Sequence, residues 1–114
     1  MKIKNTTKSF LLAQEAVLAH RLWQRIKGLL GRKELPPGQG LILKPCNSIH
    51  TYFMRFPIDV LFVDRSNRVI KALADLKPNR LTPLYFNAHI VIELPIGLIK
   101  ASRTEEGDII KLEE

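Results

Sequence analysis

Hydrophobic and polar positions trade places in short blocks along most of this chain, the period of strands more than of helices. Ile3 and Asn5 alternate with Lys2, Lys4 and Thr6, residues 5–8 make a polar turn, and residues 9–13 resume, which predicts a first hairpin over residues 2–13. Residues 14–20 suit a strand end through Val17 and Leu18 and a helix through Ala16, Leu18 and Ala19. The clearest helix spans residues 20–30: Leu22, Trp23, Ile26, Leu29 and Leu30 form one apolar stripe opposite Arg21, Gln24, Arg25 and Lys27. Gly31 is a natural stop, and Arg32 and Lys33 suit the negative end of the helix dipole.

Pro and Gly make residues 34–40 a loop. Short apolar strands are expected over residues 41–43 and 49–53. In the latter, Ile49, Thr51 and Phe53 share one face and His50, Tyr52 and Met54 the other. Residues 58–63 are almost continuously apolar, as in a strand covered on both sides. A turn at 64–67 leads to a return strand over 68–74, and strands follow at 88–94 and 108–112, with a helical turn or two over 98–104. The pattern predicts an α+β fold: a curled, mostly antiparallel sheet or small barrel of about seven short strands, with the residue 20–30 helix packed on it. The whole chain, residues 1–114, is expected to form a single domain.

Composition adds limits. A chain of 114 residues with 46% hydrophobic content can bury an ordinary core without a disulfide or metal. No apolar run approaches the roughly 20 residues that span a bilayer, so no membrane partner is expected. Residues 10–13 are too short an apolar core for a leader before Gln14 and Glu15, and the lone Cys46 forms no internal disulfide, so a cytoplasmic location is expected. The three His are scattered, His20 and His89 standing at element starts, and no Cys/His cluster has zinc spacing. Neither metal nor cofactor is expected. The net charge of +7 is uneven: residues 1–57 hold ten Lys and Arg against Glu15 and Glu34. That basic half raises one functional reading, an adaptor binding nucleic acid or an acidic partner through Arg21, Arg25, Lys27, Arg32 and Lys33.

The polar residues that interrupt the apolar stretch of residues 45–64 raise two others. His50 and Asp59 stand nearly equidistant from the loop between their segments, so a tight hairpin would bring them together. A carboxylate beside an imidazole fixes its tautomer and raises its basicity, as a hydrolase or transferase using His50 as base and Asp59 as orienter requires. Cys46 is its conditional nucleophile, if a turn at Asn47 and Ser48 lets it meet His50. The competing structural reading is that Asp59, amid Ile58, Val60 and Phe62, takes its hydrogen bonds from His50, Thr51, Arg55 or backbone amides. No complete set of nucleophile, base and oxyanion donors is present. The favoured reading is therefore a small binding module with a polar pocket near His50 and Asp59, bordered by Met54, Arg55, Glu93 and Arg32, for a small or anionic ligand.

The order of the motifs also resembles a known family. Residues 25–32 (Arg-Ile-Lys-Gly-Leu-Leu-Gly-Arg) come first, then 40–43 (Gly-Leu-Ile-Leu), 50–54 (His-Thr-Tyr-Phe-Met) and 57–64 (Pro-Ile-Asp-Val-Leu-Phe-Val-Asp). Residues 91–94 (Val-Ile-Glu-Leu) with Gly97, and Gly107 with Asp108, complete the set. This arrangement, from Arg21 to Leu112, resembles Domain of Unknown Function family 192. The resemblance implies a compact α+β fold with a curled sheet, and no established activity or cofactor. The family's usual central motif is Phe-Trp-Met-Lys-Asn-Thr. Here Tyr52, Phe53, Met54, Arg55, Phe56 and Pro57 stand there, so no role of the Asn-Thr pair carries over. The resemblance implies that many members are exported or lipid-anchored; with no leader expected here, a cytoplasmic form is expected.

Overall fold

In the computed structural model the described residues are 1–19 and 34–114. The predicted helix over residues 20–30, and with it Arg21, Arg25, Lys27, Arg32 and Lys33, lies outside them. The described strands are β1 (Lys2–Asn5), β2 (Phe10–Ala13), β3 (Glu15–Ala19), β4 (Gln39–Leu43), β5 (Ile58–Asp64), β6 (Val69–Leu76), β7 (Ala88–Leu94) and β8 (Ile110–Glu113), with one short helix, α1 (Leu98–Ser102), before β8. They form two sheets, ordered β2-β1-β8 and β3-β4-β7-β5-β6. Every neighbouring pair is antiparallel except β3 with β4, which run parallel. The α+β class and the 2–13 hairpin stand. Among the described residues the strands do not close into the small barrel: they are shared between two sheets, and β3 and β6 stand at the ends of the larger one. Among the described residues no helix is long and apolar enough to cross a membrane.

Side-chain alternation explains the layering. Ile42, Leu61, Val63, Ile90, Ile92 and Leu94 project from one face of the large sheet onto Ile3, Leu12, Ala13 and Ile110 of the small one. Gly40 lies where the sheets meet. A Cβ there would stand 3.3 Å from Leu94 Cδ2 and 3.4 Å from Ala13 Cβ, so any side chain would press on Leu94 and ask it to give by a few tenths of an ångström. The opposite face presents Leu41, Leu43, Val60, Phe62 and Val91, and two loops, residues 44–57 and 77–87, cover it with Cys46, Ile49, Phe56 and Tyr85. Covered on both sides, β5 is buried along almost its whole length, as its nearly continuous apolar run predicts.

The loops replace the strand expected over residues 49–53, where only His50 forms an isolated bridge, to Leu81. Both edges of β5, the strand that follows this segment, are already taken by β6 and β7, so the segment cannot pair with β5 as a hairpin. Instead the loops bind each other. Tyr85 N donates to Asn47 O, Thr82 N to Ile49 O, and Thr51 N to Arg80 O. Thr51, fully buried, donates through Oγ1 to Lys77 O at 2.6 Å and accepts from Arg80 N at 2.9 Å. Ile49 and Thr51 point inward as their alternation predicts, but Phe53 turns outward at a left-handed φ of 66° and is 81% exposed.

The chain ends are joined by a buried polar network. Asn5 Nδ2 donates to Thr104 Oγ1 and Asp108 Oδ2, both at 2.9 Å, while Asn5 Oδ1 accepts from Lys8 N. Lys8 Nζ lies 2.9 Å from Asp108 Oδ1, and the Glu105 amide donates to Asp108 Oδ2. Burial, the largest single effect on Asp108, pushes its carboxyl up. The bonds from Asn5, Lys8 and the Glu105 amide together outweigh it and hold the group below the usual carboxylate range.

Candidate functional site

Asp59 shares its face of β5 with Leu61 and Val63, the face that packs toward the small sheet. It is fully buried, and both carboxylate oxygens are engaged: Oδ1 accepts from Asp75 N at 2.9 Å and Oδ2 from Ile99 N at 2.8 Å. Each of these amides needs a partner for a local reason. Asp75, at a left-handed φ of 54°, lies where the β5–β6 register slips between Ile58–Leu76 and Val60–Leu73, which leaves its N–H outside the regular ladder. Ile99 is in the first turn of α1, whose cap residue Gly97 has no side chain with which to bond the exposed amides. Asp59 thus caps, from a neighbouring strand, a helix that cannot cap itself. Of the donors weighed from the sequence, backbone amides supply both bonds.

His50 lies in the loop layer on the other face of the sheet, exposed to solvent. Its ring stacks on Tyr52 at 4.9 Å between centroids, and Nδ1 accepts from Tyr52 N at 3.3 Å. The expected His50–Asp59 pair is therefore not assembled. Residues 50–59 do not close a tight hairpin, and strand alternation sends Asp59 through the sheet, away from the loops. Neither is His50 bonded to Cys46, whose buried thiol donates to Ser48 O at 3.1 Å. Met54 packs against the loop-side core, Arg55 is exposed, and Glu93 is buried beside Val60 and Leu41 in the register of that same face. Arg32 lies outside the described residues.

Among the described residues a concave feature lies elsewhere, at the end of the large sheet. An open groove of about 660 Å³ runs between residues 45–47, the β5–β6 turn at 64–66, and residues 86–89. Cys46 N donates to His89 O at 2.9 Å, which ties the first wall to β7. Asp64 Oδ1 accepts from Ser66 N and Arg68 N and so holds the turn that carries Arg65. Tyr85, whose ring lies 4.4 Å from that of Phe62, anchors the third wall, and Phe86 stands beside it 83% exposed.

The groove's polar groups are largely unspent. Among the described residues, the side chains of Asn47, Arg65, Asn87 and His89 make no hydrogen bond or ion pair. His89 is half-buried. Burial first, then the nearby positive charges of Arg65 and Lys44, hold its imidazole below the usual histidine range, so it is neutral at pH 7. Beside the Asp64 carboxylate, which is bonded within its own turn, the groove thus offers a guanidinium, two amides, a neutral imidazole and an exposed aromatic ring. Of the residues singled out from sequence only Cys46 borders it. Arg65, Asn87 and His89 come from turns and a strand start that no local pattern links. A second hollow of about 420 Å³, along residues 4–6 and 9–11, is bordered by Asn5, whose polar atoms are used in the end-joining network. Among the described residues no three His, Cys, Asp or Glu side chains gather to hold a metal ion.

Comparison with known proteins agrees with this architecture. A family model described as "Uncharacterized ACR" matches residues 2–112. A UPF0127 protein of Thermococcus kodakarensis is 34% identical over 112 residues, covering 95% of this chain and 71% of that protein. A UPF0127 protein of Pyrococcus horikoshii is also 34% identical, over 96% of both chains. Two solved structures are similar in fold. A protein of unknown function from Novosphingobium aromaticivorans has a TM-score of 0.82 at 23% identity, over 97% of this chain and 82% of its own. A Sinorhizobium meliloti protein has a TM-score of 0.81 at 18% identity, over 96% and 89%. At those identities the likeness concerns the fold alone.

Proposed function

Starting from a chain that belongs to Domain of Unknown Function family 192, we propose that it is a small binding module that takes a small anionic ligand in the groove between residues 45–47, 64–66 and 86–89. One observation carries this reading: four polar side chains without partners, Asn47, Arg65, Asn87 and His89, border one cavity beside an exposed Phe86. Polar groups already bonded within a fold have little to offer a ligand, whereas these keep donors available. Arg65 supplies the positive charge and a planar fork suited to a carboxylate or phosphate. The amides and imidazole orient the ligand, and the ring of Phe86 gives it an apolar wall. The ligand is narrower than the small or anionic one expected from sequence, and its proposed place is the sheet end in place of His50 and Asp59. The hydrolase or transferase reading loses its base and orienter, because Asp59 bonds Asp75 and Ile99 instead.

The test is a thermal-shift screen of small carboxylates and phosphates, followed by NMR titration of each hit. Binding should perturb the amides of Arg65, Asn87 and His89, and Arg65→Ala should weaken it about tenfold or more, the loss of one charge-assisted hydrogen bond. A screen without hits, or hits whose affinity Arg65→Ala leaves unchanged, would overturn the proposal.

A further inference from the structure

Large exposed apolar side chains are unevenly distributed over the described surface. Of eight, five stand on the two loops that cover the outer face of the large sheet: Tyr52, Phe53, Leu81, Leu84 and Phe86. The same two segments, residues 44–57 and 77–87, contain Lys44, Arg55, Lys77 and Arg80 and no Asp or Glu. Only Lys77 of these four is in an ion pair among the described residues, with Asp75 at 3.0 Å. Phe53 holds its exposed position at a left-handed φ that bulky residues rarely adopt, so its side chain gives the fold no burial in return for an unfavoured backbone conformation.

We infer that this loop layer docks on an anionic lipid surface, with Phe53, Leu81 and Leu84 entering the interface and Lys44, Arg55 and Arg80 meeting the headgroup phosphates. Apolar tips interspersed with unpaired cations, without an acid between them, match a boundary that is hydrocarbon below and negatively charged above. A protein partner of this size is met by an apolar centre with charge at its rim, whereas here the two kinds of residue are interleaved along both loops. The backbone is suited to the setting as well. The amides of Thr51, Asn79, Thr82 and Tyr85 already donate to Arg80, Thr51, Ile49 and Asn47 carbonyls across the layer, so approach to lipid leaves those groups satisfied. No spanning segment is involved, and the sequence expectation of no membrane partner rested on spanning segments.

The experiment is co-sedimentation of the full chain with vesicles of phosphatidylglycerol and phosphatidylcholine, beside vesicles of phosphatidylcholine alone. Binding is expected to the anionic vesicles only, falling as salt is raised from ~0.05 M to ~0.5 M, where screening shortens the reach of charge. Phe53→Ser with Leu84→Ser, and separately Arg55→Glu with Arg80→Glu, should each reduce partitioning about tenfold or more, with melting temperatures unchanged because all four side chains are exposed. Phe86 is left intact because it also borders the groove. Absence of binding to anionic vesicles, equal binding to neutral ones, retention on heparin without vesicle binding, or full binding by either double variant would overturn the inference.

Discussion

Replacing Asp59 with Ala removes the acceptor of two buried amides at once, Asp75 N at 2.9 Å and Ile99 N at 2.8 Å. A buried donor left without a partner costs about 1–3 kcal/mol, so two imply a loss of roughly 2–6 kcal/mol, to which the small cavity adds little. Against a typical stability of about 5–15 kcal/mol this is a large share. For a chain of this length, melting should fall by roughly 10 °C or more. Two further variants separate the causes. Asp59→Leu restores the volume but not the acceptors and should lose as much as Ala. Asp59→Asn keeps one carbonyl oxygen but sets its amide group against the second N–H, and should lie between Ala and the native protein. Urea unfolding followed by far-ultraviolet circular dichroism gives the totals. Amide exchange locates them, because Ile99 and Asp75 should lose protection before the centre of β7 does. A native-like urea midpoint for Asp59→Ala, or a Leu variant more stable than the native chain, would refute the capping argument.

Three further outcomes follow from the same structure. The Asp108 carboxyl is held below its unfolded pKa, so its contribution is present above that unfolded value and is lost as pH falls through the lower folded one. Urea melts across pH ~2 to ~6 should show this loss, and Asn5→Ala, by removing a bond to the carboxylate, should reduce the acid-sensitive part. Gly40→Val places its branches against Leu94, Ala13 and Ile3 where the two sheets meet, and a lower urea midpoint is expected, by about 1–3 kcal/mol; an unchanged midpoint would show that the sheets separate freely. The depressed His89 pKa means that protonation comes only below the usual histidine range and then adds positive charge. Anion affinity in the groove, measured by calorimetry, should therefore rise as pH drops through that value, and His89→Gln should abolish the rise.

Much of the architecture was legible from periodicity alone. The nearly continuous apolar run at 58–63 identified a doubly covered strand, residues 88–94 were placed to the residue, and the 2–13 hairpin followed from alternation around a polar turn. Residues 49–53 show where such reasoning fails. Their alternation is that of a strand, and Ile49 and Thr51 do face inward, but strand identity requires a free neighbouring edge, which the local pattern does not record. Asp59 was legible in need but not in partner. A carboxylate among aliphatics must be bonded, yet the amides that bond it arise from a register slip in β6 and an uncapped helix forty residues on.

By itself the sequence determined which residues share each buried face of the central strands, because the alternation of side chains along an extended backbone is a local property and apolar area seeks cover wherever it lies. It also determined the family and the presence of a buried carboxylate in β5. Only the tertiary structure decided that Asp59 and His50 fall on opposite faces of one sheet, and that Asn47, Arg65, Asn87 and His89 meet at its end. Those outcomes depend on strand order and loop course, which are set by the free energy of packing the whole chain and not by the preference of any one segment.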